Sequence, residues 1–595
     1  MRISRVRIVN FANFQHLEIE TSDSLVVVGE NKVGKSNFLR ALRLILDPGL
    51  SESERQLTLE HFWDGLGERK IGSTIEIVIE LTDFTDDPRL MAHLNDCIVT
   101  PGPPMVARLT YRFQPKAALT EPPQTLSDYE YVIFGGHDPD MAVGASLRRM
   151  LPLEVQGALR DAEKALGSWR LSPLRPLIEE LTAALGEIER KEIEDQVNAV
   201  QAGLTGRPEI QATAARITDR LVTMVGEKHS APVGLGLTPT RMESLLRGLK
   251  LLIDGGARSI SEASLGSANL IFLALKSLEL DRVVQERERD HTFFAVEEPE
   301  AHLHPQVQRL LYRYFLEGPV AGGAAPDRQL TTILSTHSPH IASVAPLRSV
   351  VLLRKSADAD ATIGFSAARA PLTPRELADL QRYIDVTRGE LFFARGVVLV
   401  EGDAERFLIP AFANALGMSL DSLGVSVCSV GGTNFAPFVK LLGPTGLNIP
   451  YVVLTDRDAV AGKPPLALNR LRTLLAIIHP IYNWPGTEEQ VVFEWGADNG
   501  LFVNGNTLEP VLFQFGLGAA MQQILLEELP LSAPTKAKVQ AWVDDPDELD
   551  TDHLLRMIER VGKGRFAQAL APHVTVATCP GYIRSALKRI RNGVA

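Results

Sequence analysis

Two short runs of the chain end an apolar strand in paired carboxylates. VVLVEGDAE (Val397–Glu405) delivers Glu401 to a strand end; a glycine then permits a tight turn, and Glu405 lies four residues on, sharing a face with Glu401 if a helix begins there. YVVLTDRD (Tyr451–Asp458) repeats the pattern with Asp456 and Asp458. Taken singly, each pair is better read as a solvated acidic loop. On two parallel strands, however, the four carboxylates meet at one sheet edge, where mutual repulsion calls for divalent cations. Hard oxygen ligands select Mg2+, Mn2+ or Ca2+. A third run, VGENKVGKS (Val28–Ser36), fits GxxxxGK[ST], in which glycines let backbone N–H groups approach phosphate, Lys35 supplies charge and the Ser36 hydroxyl can ligate Mg2+. A chance glycine-rich loop is the alternative, but an apolar strand precedes it and a helix pattern follows, so Gly29, Asn31, Gly34, Lys35, Ser36 and Asn37 form the expected nucleotide-binding set. HTFFAVEEPE (His291–Glu300) ends in carboxylates suited to a metal-water ligand at Glu297 and a base or water-orienting group at Glu298. Alone it reads equally as a strand entering an acidic loop; its pairing with the phosphate loop favours the site.

These residues need sheets to hold them. Residues 1–46 read strand, turn, strand, phosphate loop, helix, and 71–81 and 107–113 alternate as strands do. From about Leu151 to Leu204 the pattern turns helical, with Leu177, Leu181, Ala184, Leu185 and Ile188 on one face, resuming after a skipped step at Ile193, Val197 and Val200. A helix around Asn269–Leu280 and strands at His291–Val296 and Leu330–Ser335, the latter after a Gly/Ala/Pro loop at Gly318–Asp327, restore the α/β character. Ala368–Arg388 reads as linker-like. Gly396–Val400, Val425–Val430 and Tyr451–Leu454 then read as buried parallel strands, and residues 515–560 as a helical insertion. The expected division is an N-terminal lobe 1–150, a mainly helical insertion 151–250 with a possible dimerisation role, a second lobe 251–375, a linker 376–394 and a last domain 395–595.

Composition narrows the class. At 595 residues the chain exceeds one core. A net charge of −12 argues against a uniformly basic nucleic-acid binder but is compatible with a local basic groove and with clustered metal-binding carboxylates. Cys97, Cys428 and Cys579 are scattered, excluding a disulfide framework and a cysteine zinc site. No apolar run reaches the ~18–20 residues of a membrane span, and MRISRVRIVNFANFQ alternates like a strand rather than a signal peptide, so a cytoplasmic location is expected. His302 and His304 suggest zinc, but without clustered ligands they read as loop residues.

The spacing of the phosphate loop, EASLGSANLIFLAL (Glu262–Leu275), FFAVEEPEAHLHP (Phe293–Pro305) and ILSTHSPH (Ile333–His340) resembles ABC-type ATPases of the RecF/SMC branch. The resemblance assigns Ser264, Gly266, Ser267 and Asn269 to the signature that reaches a partner head's γ-phosphate, although the segment departs from LSGGQ, and assigns His337 to the switch histidine. It implies ATP as cofactor and paired heads, a dimer or tetramer. Glu401 after one strand, SVGGTNF (Ser429–Phe435) after the next and DxD at Asp456 and Asp458 resemble a Toprim domain. The fold class is thus α/β multidomain, an ABC-type ATPase head with a helical insertion followed by a Rossmann-like parallel Toprim sheet. That order is similar to the OLD (overcoming lysogenization defect) family of nucleases, and LFVNGNTLEP (Leu501–Pro510), GKGRFAQALA (Gly562–Ala571) and CPGYIRSAL (Cys579–Leu587) extend the similarity. It implies Glu509 as a further metal ligand and Lys563 as a neutraliser of the scissile phosphate. In the implied reaction two metals ~3.5–4 Å apart activate water and stabilise the leaving oxygen of DNA, in phage defence or repair, with a helicase as a possible partner. Arg584, Lys588, Arg589 and Arg591 are candidate DNA-backbone contacts, or a solvated basic tail. The alternative is an ATP-dependent DNA clamp or damage sensor whose Toprim domain does not cleave.

Overall fold

The computed structural model describes the chain except for residues 23, 158–165, 167–171, 228–230, 239, 250, 318–328, 343, 357–358, 385, 460–463, 483, 485–486 and 595. The Gly/Ala/Pro run at 318–327 lies outside the described residues. Two compact units emerge: the first comprises Met1–Gln156, Arg289–Glu300 and His304–Ala595, the second Gly157–Glu288 with Ala301–Leu303.

Three sheets build the first unit. Its strands are, in chain order, β1 (Arg2–Phe11), β2 (Phe14–Glu20), β3 (Leu25–Gly29), β4 (Ile75–Thr82), β5 (Ile98–Thr100), β6 (Val106–Pro115), β7 (Tyr129–Gly135) and β8 (Leu153–Gln156). The second unit contributes the short hairpin β9 (Leu252–Ile253) and β10 (Arg258–Ser259). Then follow β11 (Thr292–Glu297), β12 (Leu330–Thr336), β13 (Val350–Lys355), β14 (Thr362–Ser366), β15 (Gly396–Val400), β16 (Val425–Ser429), β17 (Tyr451–Thr455) and β18 (Leu501–Val503).

The antiparallel sheet runs β2-β1-β4-β6-β5, with β7 also on β6. Strand β1 alternates as its sequence predicts, with Val6 and Ile8 fully buried and Arg5 and Arg7 turned outward to Glu18 and Glu76. A second sheet, β14-β13-β3-β12-β11-β8, is parallel except for β14 on β13. Strand β3 is buried at all five positions, the continuous apolar run expected of a parallel strand covered on both faces. The helix Lys35–Leu46 buries Phe38, Leu39, Leu42 and Ile45, joining the two sheets in one core.

The third sheet, β16-β15-β17-β18, is wholly parallel. Its core takes in the helices Asp403–Ala415, Leu508–Leu512, Thr551–Val561, Lys563–Leu570 and Gly581–Val594. The stretch 376–394 expected as a linker is instead largely helical. Pro374–Tyr383 forms a helix because Thr373 and Glu376 close a capping box over a proline at the first turn, and Glu376 is anchored by Lys440 at 2.7 Å.

In the second unit the amphipathic run divides into helices Leu174–Ala184, Glu187–Thr205 and Pro208–Val225, the first two breaking at Leu185–Gly186. The skipped step between Ile188 and Ile193 falls inside the second of these helices, so the break, which lies ahead of it, is a separate feature.

Candidate active sites

The phosphate loop depends on two backbone positions that exclude a side chain. Gly29 has φ 155° and a Cβ there would stand 2.3 Å from the Leu353 carbonyl oxygen; Gly34 has φ 91° and a Cβ would stand 2.1 Å from Asn13 Nδ2. Asn13 braces the loop: its Nδ2 donates to the Val33 carbonyl at 2.7 Å and its Oδ1 accepts from Asn37 Nδ2 at 2.9 Å. Asn37 therefore supports the loop, while Asn31 is exposed upon it. Lys35 folds onto the loop, donating from Nζ to the Gly29 and Glu30 carbonyls at 3.0 Å each, 3.2 Å from His337 Nδ1. Burial pushes its pKa down to about 8, against the attraction of Glu298 and Glu300.

The structure gathers the other predicted residues here. Ser36 Oγ donates to Glu297 Oε2 at 3.3 Å, and His337 Nε2 lies 3.0 Å from Glu298 Oε1. Burial raises the Glu297 pKa above its ordinary value, opposed by the Ser36 hydrogen bond. Glu300 holds the histidine segment: its Oε1 accepts from Thr336 Oγ1 at 2.6 Å and His337 N at 2.9 Å, and its Oε2 from Tyr312 OH at 2.8 Å. The loop is also tied forward, since Arg395, just before β15, pairs with Glu30 at 2.9 and 3.3 Å.

The signature residues belong to the second unit. Ser264 caps the helix Leu265–Gln285 by accepting from Ser267 N at 3.2 Å, Asn269 is buried, and Gly266 is required because a Cβ would stand 2.6 Å from the His302 carbonyl oxygen.

The second site is a row of strand ends. Val397 pairs with Tyr451 and Leu399 with Val453, while Thr455 pairs with Val503, so Glu401, Asp456 and Asn504 follow adjacent parallel strands. Glu401 Oε1 accepts from Asp456 N at 2.9 Å, from the Thr455 hydroxyl and from Arg470 Nη1 at 3.1 Å. The glycine turn Gly431-Gly432 closes over the same strand end, where Gly432 N donates to the Glu401 carbonyl at 2.9 Å. Glu405 begins the helix Asp403–Ala415 and accepts from Gly402 N at 3.2 Å. Glu509, in the helix Leu508–Leu512, is 4% exposed. Burial, with Glu401 and Glu509 adding to it, raises the Glu405 pKa to about 7. Burial raises Asp456 to about 8, the Asn504 hydrogen bond opposing it and Glu401, Glu405 and Glu509 reinforcing it. Asp458 reaches Arg470 Nη2 at 2.7 Å.

Lys563 opens the helix Lys563–Leu570, which packs on the Glu405 helix, and is itself exposed. Arg584 donates to the Val576 carbonyl at 2.9 Å. Lys588 and Arg589 line a cavity of about 600 Å3 with Tyr451 and Asn592, at the end of β17 opposite Asp456. Three residues absent from the sequence reading sit among the carboxylates. They are Arg470, Asn504, whose Nδ2 donates to Asp456 Oδ1 at 3.1 Å, and Tyr582, whose hydroxyl pKa burial and Asp456 push well up. Asn504 lies within the quoted LFVNGNTLEP run; Arg470 had no local signal.

No three His, Cys, Asp or Glu side chains among the described residues converge closely enough to hold an ion as they stand. The donor set nevertheless fits a hard cation: it is all oxygen, its repelling carboxylates share one arginine, and the buried Asn504 Oδ1 has no hydrogen-bond partner.

Residues 392–458 match the family model "Overcoming lysogenization defect protein-like, TOPRIM domain", and residues 1–118 and 171–342 match "AAA ATPase domain". The C-terminal region of the Burkholderia pseudomallei OLD protein is 57% identical, covering 100% of that chain and 34% of this one, with a TM-score of 0.32. The chain belongs to the OLD family. Among full-length relatives, the OLD nuclease of Thermus scotoductus is 24% identical over 474 residues, 77% of this chain and 82% of that protein. Endonuclease GajA of Bacillus cereus strain VD045 is 22% identical over 510 residues, 80% of this chain and 79% of that protein. This OLD-family chain accordingly combines an ABC-type ATPase head with a Toprim domain. No helix among the described residues is long and apolar enough to cross a membrane.

Proposed function

We propose that this OLD-family chain is an ATP-hydrolysing, divalent-metal-dependent DNA endonuclease. The observation that carries it is the electrostatic grouping of Glu405 and Glu509, on two helices, with Glu401 and Asp456 at adjacent parallel strand ends, in a chain that also carries an ATPase head. Mg2+ or Mn2+ held by these carboxylates and Asp458 would supply Lewis acidity toward the phosphodiester and a water. Glu401 is held in one orientation by three donors, and Asp456 is oriented by Asn504. Both are placed without reorganisation. Lys563, exposed on the neighbouring helix, offers a positive charge to the scissile phosphate. At the head, Lys35 would offer its charge to ATP phosphates, Ser36 and Glu297 would hold Mg2+, and Glu298 with His337 would orient a water. Gly266, Ser264 and Ser267 complete the partner's site in a head-to-head pair. The relatives named OLD nuclease and endonuclease GajA support the reading.

The test is supercoiled plasmid with Mg2+ or Mn2+, with and without ATP, against Asp456→Ala. Metal-dependent nicking or linearisation that vanishes in the variant is expected, and equal cutting by parent and variant would overturn the assignment.

A further inference from the structure

Arg470 is an unusual presence at a cation site. It lies on the helix Leu466–Ile478, its side chain is 11% exposed, and it is the only guanidinium among the described residues bonded to the cluster's carboxylates. Its Nη1 reaches Glu401 Oε1 at 3.1 Å and the Asp456 carbonyl at 3.0 Å, and also bonds the Thr455 hydroxyl; its Nη2 reaches Asp458 Oδ2 at 2.7 Å. A planar fork that ties two carboxylates beyond the ends of neighbouring strands fixes both in a way a lysine point charge does not. The same bonds have a cost for metal binding. Glu401 Oε1 is already saturated by three donors, and Asp458 Oδ2 is committed to the guanidinium. Glu401 is thus left with Oε2 to join Glu405, Asp456 and Glu509 around a cation. A cation using Asp458 must compete with a positive charge already in contact with it.

Resting on the metal-site reading above, we propose that Arg470 is a positioning residue that orients Glu401 for a first divalent cation and occupies the Asp458 side of the cluster until a second displaces it. The two cations therefore bind unequally. The first enters a prearranged set, and the second loads more weakly because it must outcompete the guanidinium.

The experiment is calorimetric titration of the full chain with Mn2+ alone, without nucleotide or DNA, with Asp456→Ala as the baseline that identifies the cluster's heat. The parent is expected to show two classes of site at least tenfold apart. Arg470→Gln is expected to tighten the weaker class at least fivefold, an outcome that general damage would not produce because damage weakens both. Arg470→Lys keeps the charge without the bridge, so it is expected to weaken the first class at least fivefold and leave the second within twofold. A ratio of the two classes unchanged within twofold in Arg470→Gln overturns the proposal. Should that variant not fold, an unchanged first class in Arg470→Lys overturns it. A parent titration indistinguishable from Asp456→Ala fails the metal site itself, and the role of Arg470 with it.

Discussion

Replacing Glu300 by alanine removes the acceptor on which the His337 segment hangs. Three donors lose it: Tyr312 OH at 2.8 Å, Thr336 Oγ1 at 2.6 Å and His337 N at 2.9 Å. Each buried donor left unsatisfied costs ~1–3 kcal/mol, which bounds the sum near 3–9 kcal/mol. The two hydroxyls recover part of this, because Tyr312 OH and Thr336 Oγ1 already stand 3.4 Å apart and can turn toward each other. The His337 amide has no such substitute. About 3 kcal/mol of local stability should therefore be lost, at the low end of that range. Because a chain of this size does not unfold in two states, the loss is read locally, by hydrogen exchange of peptides spanning Thr336–Ser338. About 3 kcal/mol corresponds to a roughly 100-fold loss of protection, and Tyr312→Phe, removing one donor at about 1 kcal/mol, to about fivefold. ATP hydrolysis should fall with Glu300→Ala, since His337 loses its hold between Lys35 and Glu298. Protection within threefold of the parent in Glu300→Ala would refute the reasoning.

Other outcomes follow from the same geometry. Gly34→Ala puts a Cβ 2.1 Å from Asn13 Nδ2 at a φ of 91°, so nucleotide binding measured with a fluorescent ATP analogue should fall at least tenfold, and near-parental binding would show that the loop readily remodels. The metal-free protein should lose stability as pH rises. Asp456 at about 8 and Glu405 at about 7 hold protons in the folded state that the unfolded chain releases near 3.8 and 4.5, so stability falls between about pH 4 and pH 8. Thermal midpoints in chelator across that window check the sign, and Asp456→Asn should flatten the slope. For the same reason Mn2+ should protect more at pH 8 than at pH 6, because its ligands must first release protons; a protection independent of pH would contradict the raised pKa values.

The reach of the sequence is clearest at Glu401 and Asp456. An apolar strand ending in a carboxylate announces both its own burial and the position of the charge, and the two strands are indeed buried parallel neighbours that bring Glu401 and Asp456 side by side. The phosphate loop was legible for the same reason, and Lys35, Ser36, Glu297, Glu298 and His337 do meet. What stayed hidden is contact across long sequence separations. Arg470 meets Glu401 from 69 residues away, and Asn13 meets Thr362 from 349 residues away. No periodicity encodes such pairs. The helix Pro374–Tyr383 was missed for a different reason: its capping box, Thr373-Pro374-Arg375-Glu376, is a local signal that a short polar stretch disguised as a linker.

One pairing described for the fold sets how the chain could be shortened. The second unit departs after β8 and the chain returns into β11, and these two strands are parallel neighbours, Leu153 beside Phe293 and Gln156 beside Val296. Departure and return points are therefore one strand apart laterally but at opposite strand ends. Two or three residues cannot bridge them as a hairpin would, whereas a polar crossover of about a dozen residues can. Excision between Gln156 and Arg289 with such a bridge retains every strand of the large parallel sheet. It also retains both carboxylate sites on their own cores, while removing Ser264, Gly266 and Ser267. The segment that carries Ser264, Gly266 and Ser267 is thus genetically separable from the carboxylate-bearing sheet edge through a single splice.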